Sequence, residues 1–176
     1  NAATIAWQGD RLIVHDATQW LNATAGSLAK VFGIKEAQVF VSSPCVGGAF
    51  GGKALWDHQI LGAAAAKLAG RPVRIALSRA SMHRLIGGRS QTEQRVALAA
   101  AADGRLTAVL HHGYSVKPPH SACDEAFTLA SRSLYASDSH DIVQHTIDLD
   151  LLANTFMRAP GEAVGTFAIE SAMDEL

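Results

Sequence analysis

Short apolar runs alternate with polar turns at the start of the chain. Residues 4–7 and 11–15 carry β-type side chains and lie on either side of Gly9-Asp10, a pair typical of turns. Further on, the apolar run at residues 39–41 is expected to be buried and predicts a strand over residues 38–42. The pattern therefore predicts three short strands near the start of the chain.

Helical patterns lie between and after these strands. Thr18 can cap a helix that is ended by Gly33, with Gln19 in its first turn. A second helix is predicted over residues 55–68, with an apolar stripe made of Trp56, Ile60, Ala63, Ala64 and Leu68. Together with a strand at residues 73–77 it would form a β-α-β unit with a right-handed crossover, if the two strands are parallel neighbours.

The second half of the chain combines a hairpin with further segments. Residues 94–102 and 105–112 flank Asp103-Gly104, which predicts a β-hairpin. Periodicity predicts the rest: a short helix at residues 124–131, a partly buried strand at residues 142–152, and a helix from Pro160 to the last residue. This mixture predicts the α+β fold class, with a mixed β-sheet and packed helices, and the length of 176 residues fits a single domain, residues 1–176.

The composition argues against several classes of partner. The net charge is −1, so nothing indicates nucleic acid or an anionic membrane surface, and no apolar run is long enough to span a bilayer. Cys45 and Cys123 form no C-x-x-C pair, and the adjacent His111 and His112 would face opposite sides of a strand. We therefore expect a soluble protein, cytoplasmic or periplasmic, without a protein-ligated metal site.

A glycine-rich loop stands between the third strand and the second helix. Gly47, Gly48, Gly51 and Gly52 fall within six residues, and glycine permits both positive φ and close approach to the backbone. The main-chain N–H groups of such a loop, next to a helix start, can bind anions or polar cofactor groups. Phe50, alone among the glycines, would form a rigid apolar wall.

Two other interpretations of the loop compete with cofactor binding. Residues 47–53 fit the first seven positions of the phosphate-binding pattern G-x-x-x-x-G-K-[ST]. The eighth position is Ala54, which has no hydroxyl group for Mg²⁺, so nucleoside triphosphate binding is disfavoured. A tight turn without any ligand is the other alternative, although the loop has more glycine than a turn requires.

A second loop, residues 154–161, carries Arg158 between Met157 and Ala159. Arginine brings a fixed positive charge and five donors in a planar fork, which suits the binding of oxygen atoms. From composition alone, a surface ion pair, for example with Glu162, is the favoured explanation. Gln19 likewise could be only a surface amide or a cap.

Three motifs in order carry a family resemblance: G-G-A-F-G-G-K at residues 47–53, M-R-A-P-G-E at residues 157–162 and A-I-E-S-A-M-D-E-L at residues 168–176. With Asp16-Ala17-Thr18-Gln19 and Gly87-Gly88-Arg89, they resemble the molybdenum-binding subunit of the xanthine dehydrogenase / aldehyde oxidase family, above all bacterial aldehyde oxidoreductases. The resemblance implies a molybdenum cofactor-binding fold and the oxidation of aldehydes to carboxylic acids with water as the oxygen donor.

The resemblance also implies roles for particular residues. Gln19 and Arg158 would be catalytic, and the cofactor would be bound by Gly48, Ala49, Phe50, Gly51, Gly52 and Arg158. The cofactor would be molybdopterin with molybdenum, in the cytosine dinucleotide form of the bacterial branch. Expected partners are the remainder of the molybdenum subunit and iron–sulfur and FAD subunits.

Departures from the family pattern limit these expectations. The family's general base is a glutamate far downstream, which none of Glu162, Glu170 and Glu175 matches, so the chain is expected to be the first half of a larger molybdopterin-binding domain and inactive alone. Purine-hydroxylating members carry a glutamate where Ala54 stands and an arginine near residues 125–127. Aldehydes are therefore the expected substrates; a purine dehydrogenase fragment and a non-catalytic orphan domain are the alternatives.

Overall fold

The first of two units, Asn1–Ile86, is built on a four-stranded mixed sheet. In the computed structural model, which describes residues 1–54 and 56–176, its strands are β1 (Ala2–Gln8), β2 (Arg11–Asp16), β3 (Val39–Ser42) and β4 (Val73–Ala76). Their order is β3-β2-β1-β4, with β1 antiparallel to β2 and β4, and β2 parallel to β3. The predicted turn at Gly9-Asp10 is confirmed, since Gly9 has φ 63° between β1 and β2.

Helices α1 (Leu21–Phe32) and α2 (Asp57–Ala69) pack on the sheet, and a third helix, α3 (Arg79–Leu85), follows β4. Alternate strand residues, the alanines of the helices and Leu28 of α1 form the core: Ala3, Ile5, Leu12, Val14, Ala25, Leu28, Ala29, Val39, Ala63 and Ala66. Gly62 lets α2 approach closely, because a Cβ atom there would lie 2.8 Å from Ile5 Cδ1. Gly33 and Gly70 end α1 and α2 in left-handed conformations, as predicted.

Several local predictions for this unit were wrong. β3 and β4 lie at opposite edges of the sheet, so they are not the neighbours of a β-α-β unit. Phe40 is 57% exposed because it alternates with the core residue Val39 and so lies on the opposite face of the sheet. Leu68 is 90% exposed because α2 buries its small and polar side chains instead. Thr18 does not cap α1, which begins at Leu21, and the predicted helix start at Leu55 lies outside the described residues.

The second unit, Gly87–Leu176, contains a three-stranded mixed sheet. Its elements are β5 (Thr92–Ala100), β6 (Leu106–Lys117), β7 (Ser139–Asp148) and α4 (Glu162–Glu175). The central strand β6 is antiparallel to β5 and parallel to β7. The predicted β5–β6 hairpin is confirmed, with Gly104 at φ 85° in its turn, and so is the α+β fold class, although the strands form two sheets.

Phe127 is fully buried in this unit, in the segment that joins β6 to β7. A Cβ atom at Gly165 of α4 would lie 1.8 Å from the carbonyl oxygen of Phe127, so only glycine allows this contact. The helix predicted at residues 124–131 was wrong: only a 3₁₀ turn, Ala130–Arg132, forms there. The hydrogen bonds of Asp124 to Ser115 and Thr146, and of Glu125 to the N–H of Gly161, tie this segment to other elements instead. No described helix is both long and apolar enough to cross a membrane.

Candidate functional site

A tight turn forms the tip of the glycine loop. The N–H of Gly52 donates to the carbonyl oxygen of Ala49 over 2.8 Å, and both central residues have positive φ, 52° for Phe50 and 96° for Gly51. This is the pattern of a type I′ turn, which is unfavourable for a residue such as phenylalanine. The turn leaves the Phe50 side chain 60% exposed, and Gly48 makes room for it, since a Cβ atom there would lie 2.8 Å from the ring.

Gln19 holds this loop from the segment before α1. Its side-chain Oε1 accepts from the main-chain N–H groups of Gly51 at 3.1 Å and of Lys53 at 3.4 Å. The main-chain N–H of Gln19 donates in turn to the carbonyl oxygen of Lys53 at 2.8 Å. Because two N–H donors face the Oε1 position, it must be the amide oxygen, which fixes the orientation of the side-chain amide. Nε2 then faces away from these donors and can donate to another acceptor. Gln19 precedes α1, so its predicted place in the first helical turn was wrong.

Lys53 and Trp56 close the loop at its end. The ammonium group of Lys53 donates to the carbonyl oxygen of Val46, and Nε1 of Trp56 donates to that of Gly52 at 3.2 Å. The Lys53 side chain is thus bonded within the loop itself. Helix α2 begins only at Asp57, so the glycines do not run directly into a helix as the sequence suggested.

Asp16 lies at the end of β2, just before Gln19, with a side chain only 3% exposed. It accepts from the N–H of Ala17 at 2.7 Å and from the side-chain amide of Gln59, and Nε2 of His58 lies 3.8 Å away. Burial alone would raise the pKa of Asp16, but His58, Gln59 and the N–H of Ala17 stabilise the carboxylate and lower it overall. This cluster fixes the strand end that precedes Gln19 to the first turn of α2.

Arg158 belongs to the second unit, in the loop before α4. Arg158 is exposed to solvent. Within the described part of the chain it forms no ion pair with Glu162. Its main chain is firmly held, because the carbonyl oxygen of Arg158 accepts from the guanidinium of Arg89. The loop is strained, with Ala159 at φ 54° and Gly161 at φ 82°.

Sequence reasoning missed two features of this unit. Arg89 and Glu125 form a partly buried network with the Arg158 loop, and only their positions in the fold disclose it. Arg132 lines a cavity of about 310 Å³ together with Ala126, a position where the sequence shows no arginine.

Among the described residues, no three histidine, cysteine or acidic side chains cluster as metal ligands.

Comparison with known proteins decides the family. The sequence pattern of the molybdopterin cofactor-binding domain matches residues 1–176. The chain belongs to the molybdopterin cofactor-binding domain family. The recognition made from the three sequence motifs is therefore confirmed.

Known proteins that this chain resembles in sequence or in fold are much longer than the chain itself. The aldehyde oxidoreductase molybdenum-binding subunit PaoC of Escherichia coli K12 is 34% identical over 177 residues, which cover 100% of this chain and 24% of PaoC. Quinoline 2-oxidoreductase from Pseudomonas putida 86 superposes with a TM-score of 0.87 at 24% identity, covering 99% of this chain and 23% of its own. Aldehyde oxidoreductase from Desulfovibrio gigas gives 0.84 at 23% identity, with coverages of 99% and 20%. The chain thus spans about a quarter of the length of such relatives.

Proposed function

We propose that this chain is part of a molybdenum hydroxylase that oxidises aldehydes to carboxylic acids with water as the oxygen donor. The observation that carries the proposal is the 34% identity, over 100% of the chain, to a molybdenum-binding subunit of an aldehyde oxidoreductase. When bound, the molybdopterin cofactor supplies the redox chemistry, and the protein supplies position and electrostatics.

The glycine loop offers groups that fit such a cofactor. We infer that Gly48, Ala49, Phe50, Gly51 and Gly52 contact it, with the exposed Phe50 ring as an apolar wall. The orientation of the Gln19 side chain supports a donor role for its Nε2, because Oε1 is already bonded to the loop. Amide and guanidinium donors suit a group rich in acceptor oxygens.

Arg158 is the second proposed contact to cofactor or substrate oxygens. Its exposure and its lack of an ion pair with Glu162 support this role over that of a surface salt bridge. A charged donor strengthens a hydrogen bond to an oxygen that gains negative charge during the reaction. Gln19 and Arg158 are accordingly the two proposed catalytic residues.

We infer that residues 1–176 are the first half of a larger molybdopterin-binding domain, that the remainder of the subunit supplies the general base, and that iron–sulfur and FAD subunits accept the electrons. We propose the cytosine dinucleotide form of the cofactor. Residues 1–176 expressed alone are then expected to contain no stoichiometric molybdenum and to be inactive.

Aldehydes are preferred to purines in this proposal. Ala54, at the position of the purine-binding glutamate, is 9% exposed and offers no polar group. Arg132 beside Ala126 supplies one charged group, so the discrimination rests chiefly on Ala54. One hydrogen bond to a charged group is worth about 1.5–3 kcal/mol, or roughly tenfold to a hundredfold in rate.

The test uses the full-length subunit, produced together with its partner subunits. Molybdenum content, cytidine monophosphate released by acid, and kcat/KM for benzaldehyde and xanthine are measured on one preparation. We expect molybdenum, the cytidine nucleotide and a clear preference for benzaldehyde. Equal turnover of xanthine would contradict the substrate assignment, and a folded protein without molybdenum would favour the orphan domain.

A further inference from the structure

Arg89 connects three parts of the second unit through one guanidinium group. Nη1 donates to Oε1 of Glu125 at 2.8 Å and approaches the carbonyl oxygen of Ala159 at 3.5 Å, while Nη2 donates to the carbonyl oxygen of Arg158. These acceptors are separated from Arg89 by 36 to 70 positions in the sequence. The planar fork of arginine offers two separate nitrogens for these acceptors, whereas an ammonium group offers only one.

Glu125 completes the connection from the opposite side. Its side chain is 1% exposed, and Oε1 also accepts from the N–H of Gly161 at 2.8 Å. A single carboxylate oxygen therefore joins Arg89 to the end of the loop that carries Arg158. Oε2 of Glu125 is buried and has no hydrogen-bond partner among the described residues. All the bonding of this carboxylate that the structure shows is directed at Arg89 and the loop.

The loop needs such support because its backbone is strained. Ala159 has φ 54°, a conformation that residues with a side chain rarely adopt. Gly161, at φ 82°, packs so tightly that a Cβ atom would lie 2.4 Å from the carbonyl oxygen of Ala126. Strained backbone persists where surrounding contacts determine it, and here Arg89 and Glu125 bond to both ends of the strained segment.

We propose that Arg89 and Glu125 are positioning residues that set the main-chain conformation in which Arg158 is presented to the cofactor or substrate. The link from loop conformation to turnover rests on the function proposed for Arg158. The hydrogen bonds of Arg89 and Glu125 to the loop hold its main chain whatever the role of Arg158. Neither Arg89 nor Glu125 is proposed to touch the reacting atoms.

An ordinary surface ion pair offers a matched comparison in the same unit. Arg105 and Asp138 lie 2.6 Å apart, but their side chains are 57% and 62% exposed. Exposed pairs of this kind contribute little. Arg105→Ala is therefore the control for the loss of an arginine from an ion pair.

The first experiment measures amide hydrogen exchange in the full-length subunit. Arg89→Ala and Glu125→Ala are expected to speed exchange at Gly161 and across the Arg158 loop by about tenfold or more, with the β5–β6 hairpin unchanged. Glu125→Gln keeps an acceptor oxygen and should stay close to wild type, Arg89→Lys should be intermediate, and Arg105→Ala should have no effect. Tryptic cleavage after Arg158 is expected to follow the same order.

Two outcomes would overturn the proposal. The first is an unchanged exchange rate in the loop of Arg89→Ala. The second is faster exchange spread evenly over the whole unit, because a general loss of stability would produce that result. Should Arg89→Ala fail to fold, Arg89→Lys takes its place, because lysine keeps the charge without the fork. Loop exchange in Arg89→Lys that equals wild type would then contradict the proposed role.

The second experiment measures aldehyde turnover of Arg89→Ala, Arg158→Ala and the double variant. If Arg89 acts by positioning Arg158, the double variant should have the same kcat/KM as Arg158→Ala. Losses that multiply would show a separate, structural effect of Arg89 and contradict the proposal. Unchanged turnover in Arg158→Ala would instead refute the function proposed for Arg158, while the exchange experiment would still decide whether Arg89 and Glu125 position the loop.

Discussion

The side-chain oxygen of Gln19 lies 3.1 Å from the main-chain nitrogen of Gly51, although 32 positions separate the two residues in the sequence. The same oxygen accepts from the N–H of Lys53. One amide thus fixes the end of the glycine turn and turns its own Nε2 away from the loop. This relationship gives Gln19 two separable roles, as an acceptor for the loop and as a proposed donor to the cofactor.

Gln19→Ala is expected to loosen the glycine loop, because two main-chain N–H groups lose their acceptor. The first unit should lose about 1 kcal/mol of stability, and exchange at Gly51 and Lys53 should quicken. Gln19→Glu keeps the acceptor but removes the Nε2 donor, so it should protect the loop while lowering turnover in the full-length enzyme. Gln8→Ala, which removes an exposed glutamine at the end of β1, is the control. Equal turnover in Gln19→Glu and wild type would contradict the donor role.

Gly161→Ala is expected to be far more damaging than Gly104→Ala. Both residues have similar φ, 82° and 85°, so both substitutions cost about 1–2 kcal/mol in backbone strain. Only at Gly161 would the new Cβ atom meet a backbone oxygen, 2.4 Å away, whereas nothing lies within 4 Å at Gly104. Thermal unfolding of the two variants measures the difference. A similar loss of stability in both would mean that the close contact at Gly161 relaxes without cost.

Acid is expected to destabilise the first unit through Asp16. Its folded pKa is lowered from the value of 3.8, so the unfolded state binds a proton first as the pH falls. The stabilisation is therefore fully present above pH 3.8 and is lost as the pH falls towards the folded pKa. Unfolding of wild type and Asp16→Asn between about pH 6 and pH 2.5 should show a shallower pH slope in the variant. Asp57→Asn, which removes an exposed carboxylate, is the control, and identical slopes for Asp16→Asn and wild type would contradict the assignment.

The second unit should lose stability at milder acidity through His111. Burial, and secondarily the charge of His112, lowers the pKa of His111 below 6.5. The ring is fully buried, with Ser131 Oγ at 2.6 Å from Nδ1 and Gln94 Oε1 at 3.0 Å from Nε2. Because the unfolded chain binds a proton first, stability falls as the pH drops below 6.5 and levels off below the folded pKa. Amide hydrogen exchange at β6 measures this loss of stability. His111→Gln should abolish the pH dependence of that exchange, and an unchanged pH dependence in the variant would refute the role of His111.

Parts of the candidate site were predictable because they depend on local sequence. Four glycines in six residues required an unusual backbone, and the structure uses them for a turn with positive φ and for close contact with the Phe50 ring. The interactions of Gln19 with Gly51 and of Arg89 with Glu125 were not predictable, since each joins segments more than thirty positions apart. Nothing in the local pattern of either segment indicates its partner.

The sequence by itself determined the family, the α+β class, the β5–β6 hairpin and the glycine ends of α1 and α2, because motifs, alternation and turn residues act over a few positions. Only the tertiary structure decided that β3 and β4 lie at opposite edges, that Phe40 and Leu68 are exposed, and that residues 124–127 avoid a helix. These features depend on which surfaces remain for each segment once the others have packed. Glu125 bonds to Arg89, 36 positions away in the sequence, and to the N–H of Gly161, and the local pattern around Glu125 indicates neither partner.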